Sequence, residues 1–136
     1  MSGENDLQTL LQNMVPILHD AEYGYGILPR EASVPSSLHW FALIREDEGI
    51  SVVATIKELE THAIEHTQGW ARISLEIHSD LAAVGLTAAI ANALTSAKIS
   101  ANVVAGFYHD HVFVQWARRH DAIVALRAIS QQSKAV

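Results

Sequence analysis

Residues 79–87, SDLAAVGLT, combine a polar pair with a glycine where a strand pattern ends and an alanine-rich helix pattern begins. Inside a helix a glycine costs roughly 1 kcal/mol relative to alanine, and close approach to another group is the commonest reason to keep one. The first N–H groups of a helix lack partners within it, and the helix dipole favours negative charge there. We therefore expect first-turn amides that can hold a carboxylate, namely those of Val84, Gly85, Leu86 and Thr87.

Ser79 and Asp80 precede these amides. The Asp80 carboxylate could accept hydrogen bonds from an ammonium group, so the loop could bind both ends of a free amino acid. A structural interpretation fits the same residues, because Ser79 or Asp80 could cap the helix while Gly85 lets it lie close to the sheet. The spacing alone leaves both interpretations open.

His62, Glu65 and His66 spell the His-x-x-Glu-His pattern of inverted zinc proteases. A helix through these residues would place both imidazoles on one face, with Glu65 beside them as a base. Such a site also needs a third ligand and a substrate cleft, neither of which the segment indicates. A metal-dependent hydrolase is therefore an alternative hypothesis, and no metal or other cofactor is predicted.

Other candidate motifs have simpler structural interpretations. His109, Asp110 and His111 could offer two imidazoles and a carboxylate to a metal, but a polar hairpin turn explains them equally well. Gly24 and Gly26 lack the third glycine and the following helix of a nucleotide-binding loop. No serine has the context of a nucleophile elbow, so the sequence gives no support for acyl transfer.

The composition limits the classes of function. The 136 residues carry a formal charge of −6 and no cysteine, which excludes disulfides, thiolate metal sites and thiol catalysis. The negative charge disfavours binding to nucleic acid or acidic membranes. The N-terminal residues lack a signal-peptide pattern, and no apolar run approaches ~20 residues. We expect a soluble, cytoplasmic protein with a genuine hydrophobic core.

Apolar spacing and turn residues predict the elements of the first half. These are a helix over residues 5–14 capped by Asn5 or Asp6, a strand over 22–28, a loop over 29–37, strands over 38–45 and 50–56 that form a hairpin turning at Gly49, and a short helix over 57–66 that ends before Gly69.

The second half is more regular. It predicts a strand over 71–78 with Ile73, Leu75 and Ile77 facing inward, a helix over 81–97 with an inward stripe of Leu81, Val84, Ala88, Ala91 and Leu94, strands over 99–108 and 112–117, and a helix over 120–130 with Ala122, Leu126 and Ile129 inward. The order β-α-β-β-α predicts an α+β, ferredoxin-like plan, an antiparallel sheet with helices on one face. The missing edge strand must come from the first half or from a partner chain.

Two long stretches, ISLEIHSDLAAVGLTAAIANAL and ISANVVAGFYHDHVFV, resemble a family of small bacterial ACT-domain proteins long classed as of unknown function. The similarity runs through residues 73–129. The first half resembles the family more loosely, in LLQNMVPIL, EYGYGIL and EDEGISVV.

The resemblance implies tandem ACT-type βαββα(β) modules, an irregular one over residues 1–68 and a second over 69–136. It implies a non-enzymatic, regulatory protein that binds a free amino acid or similar small carboxylate and assembles as a homo-oligomer, a dimer through sheet edges or helices. The ligand residues carried over are Ser79, Asp80, Val84, Gly85, Leu86, Thr87, Asn102 and Val103. Asn102 resembles the asparagine of the Gly-Ile-Asn element of ACT sensors, although KISAN here replaces the glycine and inserts residues after Ile99. A purely structural, protein-interacting role is a further alternative.

Overall fold

The computed structural model describes residues 6–77 and 84–134. Within them the chain forms α1 (Leu7–Asn13), β1 (Val15–Pro29), β2 (Trp40–Arg45), β3 (Gly49–Thr55), α2 (Ile56–Thr61), β4 (Glu65–Glu76), α3 (Leu86–Ser96), β5 (Ala101–Ala105), β6 (Asp110–Gln115), a 3₁₀ turn (Trp116–Arg118) and α4 (Arg119–Lys134). The chain divides into two compact units: unit 1 is Met1–His19 with Ala71–Val136, and unit 2 is Asp20–Trp70.

Unit 1 has the predicted ferredoxin-like plan. Its strands follow the order β1-β4-β6-β5, and β5 pairs antiparallel with β6. Strand β4 is followed by α3, β5, β6 and α4, and the first residues of β1 lie next to β4 in the position of the missing fourth strand. The first half of the chain therefore supplies that strand, which was one of the two predicted sources. Helix α1 is an addition, and it contacts both α3 and α4.

The core of unit 1 follows the predicted periodicity of β4 but not that of α3. Ile73, Leu75 and Ile77 are buried, as period-2 alternation predicts. Of the predicted stripe of α3, Leu94 is buried as expected, Val84 and Ala88 are exposed, and Leu81 lies outside the described residues. The helix begins only after Gly85, which leaves Val84 outside it and 85% exposed. The buried residues of α3 are Leu86, Ile90 and Leu94.

Helix α2 ends earlier than predicted, at Thr61 rather than His66. Ala63 has a left-handed backbone with φ 52°, and the N–H of Ile64 donates to the carbonyl of Leu59 at 2.9 Å. These are features of a Schellman motif, which usually has glycine at the left-handed position. Helix α3 ends in the same way, with Lys98 at φ 61° and a bond of 2.9 Å from Ile99 N–H to the carbonyl of Leu94.

The strands of unit 2 follow the order β2-β3-β1-β4. The β2–β3 hairpin is confirmed, and the Glu46 N–H donates to the Gly49 carbonyl at 2.8 Å across its turn. Residues 30–39 form the predicted loop where a ferredoxin-like plan has its first helix. Leu38 of this loop is buried in the core of unit 2 with Leu59 and Ile64.

The predicted boundary between residues 68 and 69 concerns sequence modules, whereas the two compact units are defined by contacts. The units assign α1 and the first residues of β1 to the same body as the second half. The module boundary stays a prediction. In the part of the chain that the structure describes, no helix is long and apolar enough to cross a membrane.

Candidate functional site

Helix α3 begins at a glycine whose backbone is left-handed. Gly85 is the N-cap, with φ 98° and ψ −14°, and its carbonyl accepts from the Ala89 N–H at 2.9 Å. This left-handed region is costly for residues with a Cβ, which explains the glycine. Among the described residues no side chain caps this N-terminus. The first-turn amides of an eleven-residue helix are therefore presented without a side-chain acceptor from the described part of the chain.

The predicted site residues around Gly85 have different surroundings. Val84 and Thr87 are exposed, whereas Leu86 is buried in the core of unit 1. Leu86 can therefore contribute only its backbone to a ligand. Ser79 and Asp80 lie outside the described residues.

Leu7 of α1 lies against Gly85. A Cβ added to Gly85 would be 3.1 Å from Leu7 Cδ2, which is tighter than ordinary van der Waals contact. The absence of a side chain at Gly85 therefore admits Leu7 of α1, a helix rather than the sheet that the structural interpretation predicted. The exposed Val84 and Thr87 leave other directions of approach to the first turn.

A groove of about 390 Å³ lies beside this contact, between α1, α3 and α4. It is lined by Leu7, Gln8, Leu11, Ala89, Ile129, Gln132 and Ser133. The Gln12 side-chain amide donates to the Ser133 carbonyl at 2.9 Å, which ties α1 to the end of α4. Volumes of this order are at the lower end of those of small-molecule sites.

Asn102 and Val103 are neighbours in β5, so their side chains lie on opposite faces of the sheet. Val103 packs against the core that contains Leu86, and Asn102 is exposed. The structure thus brings Val103 and Leu86 into one hydrophobic cluster, while no described contact joins the Asn102 side chain to Gly85. The Asn102 contact with a ligand stays a prediction.

The geometry predicted for His62, Glu65 and His66 is wrong. Helix α2 ends at Thr61, and Glu65 and His66 belong to β4, so the two imidazoles do not share a helical face. His66 Nδ1 donates to the Ile64 carbonyl at 2.7 Å. Within residues 6–77 and 84–134, no group of three His, Cys, Asp or Glu side chains is arranged to hold a metal ion.

The segment predicted as a polar turn also differs. Asp110 and His111 are the first residues of β6, and the turn lies before them, where the Gly106 N–H donates to the His109 carbonyl at 2.9 Å. Asp110 is buried, and burial raises the pKa of its carboxyl, although the nearby His109 acts in the opposite direction.

A buried serine joins two histidines in unit 1. Ser74 Oγ lies 2.7 Å from His19 Nε2 and 3.0 Å from His111 Nδ1. A hydroxyl has one proton, so with neutral imidazoles Ser74 donates to one ring nitrogen and accepts from the N–H of the other. Sequence reasoning missed this cluster because period-2 alternation placed Ser74 on the solvent side of β4, yet it is only 8% exposed.

The surroundings of His111 disfavour its protonation. Burial lowers the pKa of its imidazole to about 4, and the positive charges of Arg72, His109 and His19 act in the same direction. His111 is therefore neutral at physiological pH. It can hold its hydrogen bond to Ser74 without a counter-ion.

We expect acidification to destabilise the protein partly through His111. Between the ordinary pKa of 6.5 and the folded value of about 4, the unfolded chain binds a proton at His111 that the folded chain does not. This contribution to stability is complete above pH 6.5 and is lost as the pH falls towards 4. Because His111 is partly exposed, we expect a loss of about 1–2 kcal/mol rather than the full equivalent of the shift.

Urea unfolding of the wild type and His111→Asn across this pH range measures the effect. Asn can keep a hydrogen bond to Ser74 but does not titrate, so the variant should lose less stability on acidification. The raised pKa of Asp110 has the opposite effect on the pH dependence of stability, and Asp110 is present in both proteins. Parallel pH profiles for the two proteins would exclude a role for His111.

Comparison with known proteins identifies the family. Two family profiles, both described as ACT domain, match residues 2–71 and 65–128. The chain belongs to the ACT-domain family. The ACT-domain matches thus cover both halves, including the first, in which the loop over residues 30–39 replaces a helix. No curated protein matches the chain.

Solved structures agree with the ACT assignment. The chain is similar to a Vibrio cholerae protein of unknown function, described as a possible transport protein, with 38% identity over 91% of this chain and 95% of that one and a TM-score of 0.79. An Agrobacterium tumefaciens protein has 18% identity over 86% and 89% of the two chains and a TM-score of 0.73. The ligand-free regulatory subunit of aspartate kinase from Thermus thermophilus has 10% identity over 84% and 95%, with a TM-score of 0.59. The last two likenesses concern the fold.

Proposed function

We propose that this ACT-domain protein is non-enzymatic and regulatory, and that it binds a free amino acid or a similar small carboxylate at the start of α3. The observation that carries the proposal is Gly85, a left-handed N-cap that presents the first-turn amides without a side-chain cap from the described residues. Such amides and the helix dipole favour an anion. The fold it has in common with an aspartate kinase regulatory subunit supports a regulatory role.

The proposed ligand residues are those identified from the sequence: Ser79, Asp80, Val84, Gly85, Leu86, Thr87, Asn102 and Val103. Leu7 occupies the space beside the Gly85 Cα, so we place the carboxylate towards Val84 and Thr87, whose side chains are exposed. Leu86 and Val103 have buried or partly buried side chains and would contribute through their backbones.

The proposal includes two ACT-like modules over residues 1–68 and 69–136, a homodimer, and a cytoplasmic location. Strand β5 ends the strand order of unit 1, and a terminal strand offers backbone groups for pairing with a second copy. Light scattering coupled to size-exclusion chromatography measures the oligomeric state directly. A monomer at all concentrations would remove the dimer from the proposal while leaving the ligand site to its own test.

Isothermal titration with each common amino acid tests the site. We expect saturable binding of one amino acid or one chemical class, and a loss of affinity of about tenfold or more in Gly85→Ala, because a Cβ disfavours the backbone that aims the amides. Gly69→Ala is the matched control. Gly69 has the same φ of 98° but nothing within 4 Å of an added Cβ, and it lies in unit 2.

Thermal unfolding of both variants shows how much stability each substitution removes. Equal affinities in Gly85→Ala and Gly69→Ala would place the ligand elsewhere. The absence of binding by any amino acid to the wild type would reject the binding function and favour a structural, protein-interacting role.

A further inference from the structure

In unit 2 a serine contacts a histidine, and the same histidine contacts a glutamate. Ser37 lies in the loop between β1 and β2, and its Oγ is 3.0 Å from His62 Nε2. On its other side, His62 Nδ1 lies 3.0 Å from the Glu58 carbonyl oxygen and 3.9 Å from the Glu58 carboxylate Oε1. A nucleophile that contacts a base, with a third group orienting the base, is the general signature of an activated nucleophile.

The contacts determine which nitrogen of His62 carries the proton. A carbonyl oxygen can only accept, so Nδ1 must carry the hydrogen that it shares with Glu58. In the neutral imidazole Nε2 is then an acceptor, and the Ser37 hydroxyl must donate to it. This is the tautomer that a general base for Ser37 requires.

Glu58 is itself held in place. Its carboxylate Oε1 accepts from the backbone N–H of His39 at 2.8 Å, and its N–H donates to the Thr55 side chain at 3.3 Å. The side chains of His62 and Glu58 are only 14% and 21% exposed. The Glu58 carbonyl and carboxylate both lie on the Nδ1 side of the ring, so Glu58 orients the imidazole with Nε2 towards Ser37.

Ser37 combines this contact with access to solvent. It is exposed, whereas the next residue, Leu38, is buried in the core of unit 2 and fixes the loop. The Leu38 N–H also donates to the Pro35 carbonyl at 3.1 Å. A reagent can therefore reach Ser37 Oγ while its hydrogen bond to His62 is kept.

We propose that Ser37 is an activated nucleophile, a covalent modification site that accepts an acyl group from activated esters or thioesters, with His62 as general base. Ser37 Oγ forms a bond to the acyl carbon, and the bond from that carbon to the leaving oxygen or sulfur breaks. The proton of Ser37 passes to His62 Nε2 and then to the leaving group. The products are O-acyl-Ser37 and the free alcohol or thiol, with no change in oxidation state. The step is a stoichiometric transfer and does not require turnover.

Reaction of the full-length protein with p-nitrophenyl acetate, followed by peptide mass spectrometry, tests this. Ser33 and Ser36 are exposed in the same loop and serve as internal comparators for access. We expect Ser37 to be acetylated at least about tenfold faster than either, since general base catalysis contributes typically 10²–10⁴-fold. His62→Gln should reduce the acetylation rate of Ser37 to that of Ser36.

Glu58 is a positioning residue in this scheme. Glu58→Gln keeps an acceptor for the His39 N–H but replaces the carboxylate that lies 3.9 Å from His62 Nδ1, so the ratio of Ser37 to Ser36 labelling should fall about threefold or more. Glu60→Gln, which removes the same charge from an exposed position of α2, should leave the ratio unchanged. A general loss of stability would affect all three serines together and so would not lower this ratio. Labelling of Ser37 that is no faster than that of Ser36, or that is unchanged in His62→Gln, would overturn the proposal.

Discussion

Replacing Gly24 with alanine is expected to lower the free energy of unfolding by about 3 kcal/mol or more, since overpacking that meets the backbone exceeds the usual cost. The added Cβ would lie 2.3 Å from the Thr67 carbonyl oxygen and 2.8 Å from Ile56 Cδ1. The first of these neighbours is backbone, so β1, β4 or α2 must shift to accommodate the methyl group. Urea unfolding followed by circular dichroism measures the difference.

Gly69→Ala is a suitable comparison for this substitution as well. An added Cβ there meets no atom within 4 Å, so only its left-handed backbone opposes the change, at about 1 kcal/mol. The Gly69 N–H can still donate to Glu22, as it does at 2.8 Å. If Gly24→Ala lowered the free energy of unfolding no more than Gly69→Ala, then α2 and β4 would not approach β1 as closely as described.

Replacing Leu126 with alanine is expected to cost about 2–5 kcal/mol, the range for deleting a buried leucine side chain. Leu126 is fully buried on the face of α4 that packs in the core of unit 1. Val124, two residues earlier in the same helix, is 67% exposed, so Val124→Ala should change stability by less than about 0.5 kcal/mol. Chemical denaturation of both variants provides the comparison, and similar losses would mean that the helix faces are wrongly assigned.

The β2–β3 hairpin and most of each strand could be predicted because their signals are local, although residues 15–21 of β1 and 65–70 of β4 were missed. The alternation of Tyr and Gly in residues 22–28 predicted a strand, and in β1 the glycines lie against Leu59 while Tyr25 packs edge-on against Trp70 with ring centroids 5.6 Å apart. The glycines therefore serve the close packing of α2 rather than a nucleotide. Their role required the position of α2, which the local pattern does not contain.

The end of α2 was harder to predict because no glycine marks it. Ala63 and Lys98 adopt the left-handed conformation that usually signals a helix end through glycine. The remaining signal at each of these helix ends is a pair of apolar residues buried in the same core. The pairs are Leu59 with Ile64 in unit 2 and Leu94 with Ile99 in unit 1. The prediction instead relied on the next glycine, Gly69, and so placed the end of α2 at His66.

The candidate sites also differ in whether the signals that predict them are local in the sequence. Gly85 was found from its residue type and its place before a helix, both of which are local. Ser74 contacts His19 and His111 across 55 and 37 residues, and Ser37 contacts His62 across 25. These contacts depend on strand register and loop conformation, for which a single sequence contains no direct signal.

The assignment of Met1–His19 to the same body as Ala71–Val136 has a consequence for biosynthesis. The ribosome synthesises α1 and the beginning of β1 before β4, α3, β5, β6 and α4, the elements with which they form unit 1. Structures dominated by such distant pairings form slowly. We therefore expect the nascent α1 and the beginning of β1 to wait, with their apolar side chains uncovered, until α4 has been translated.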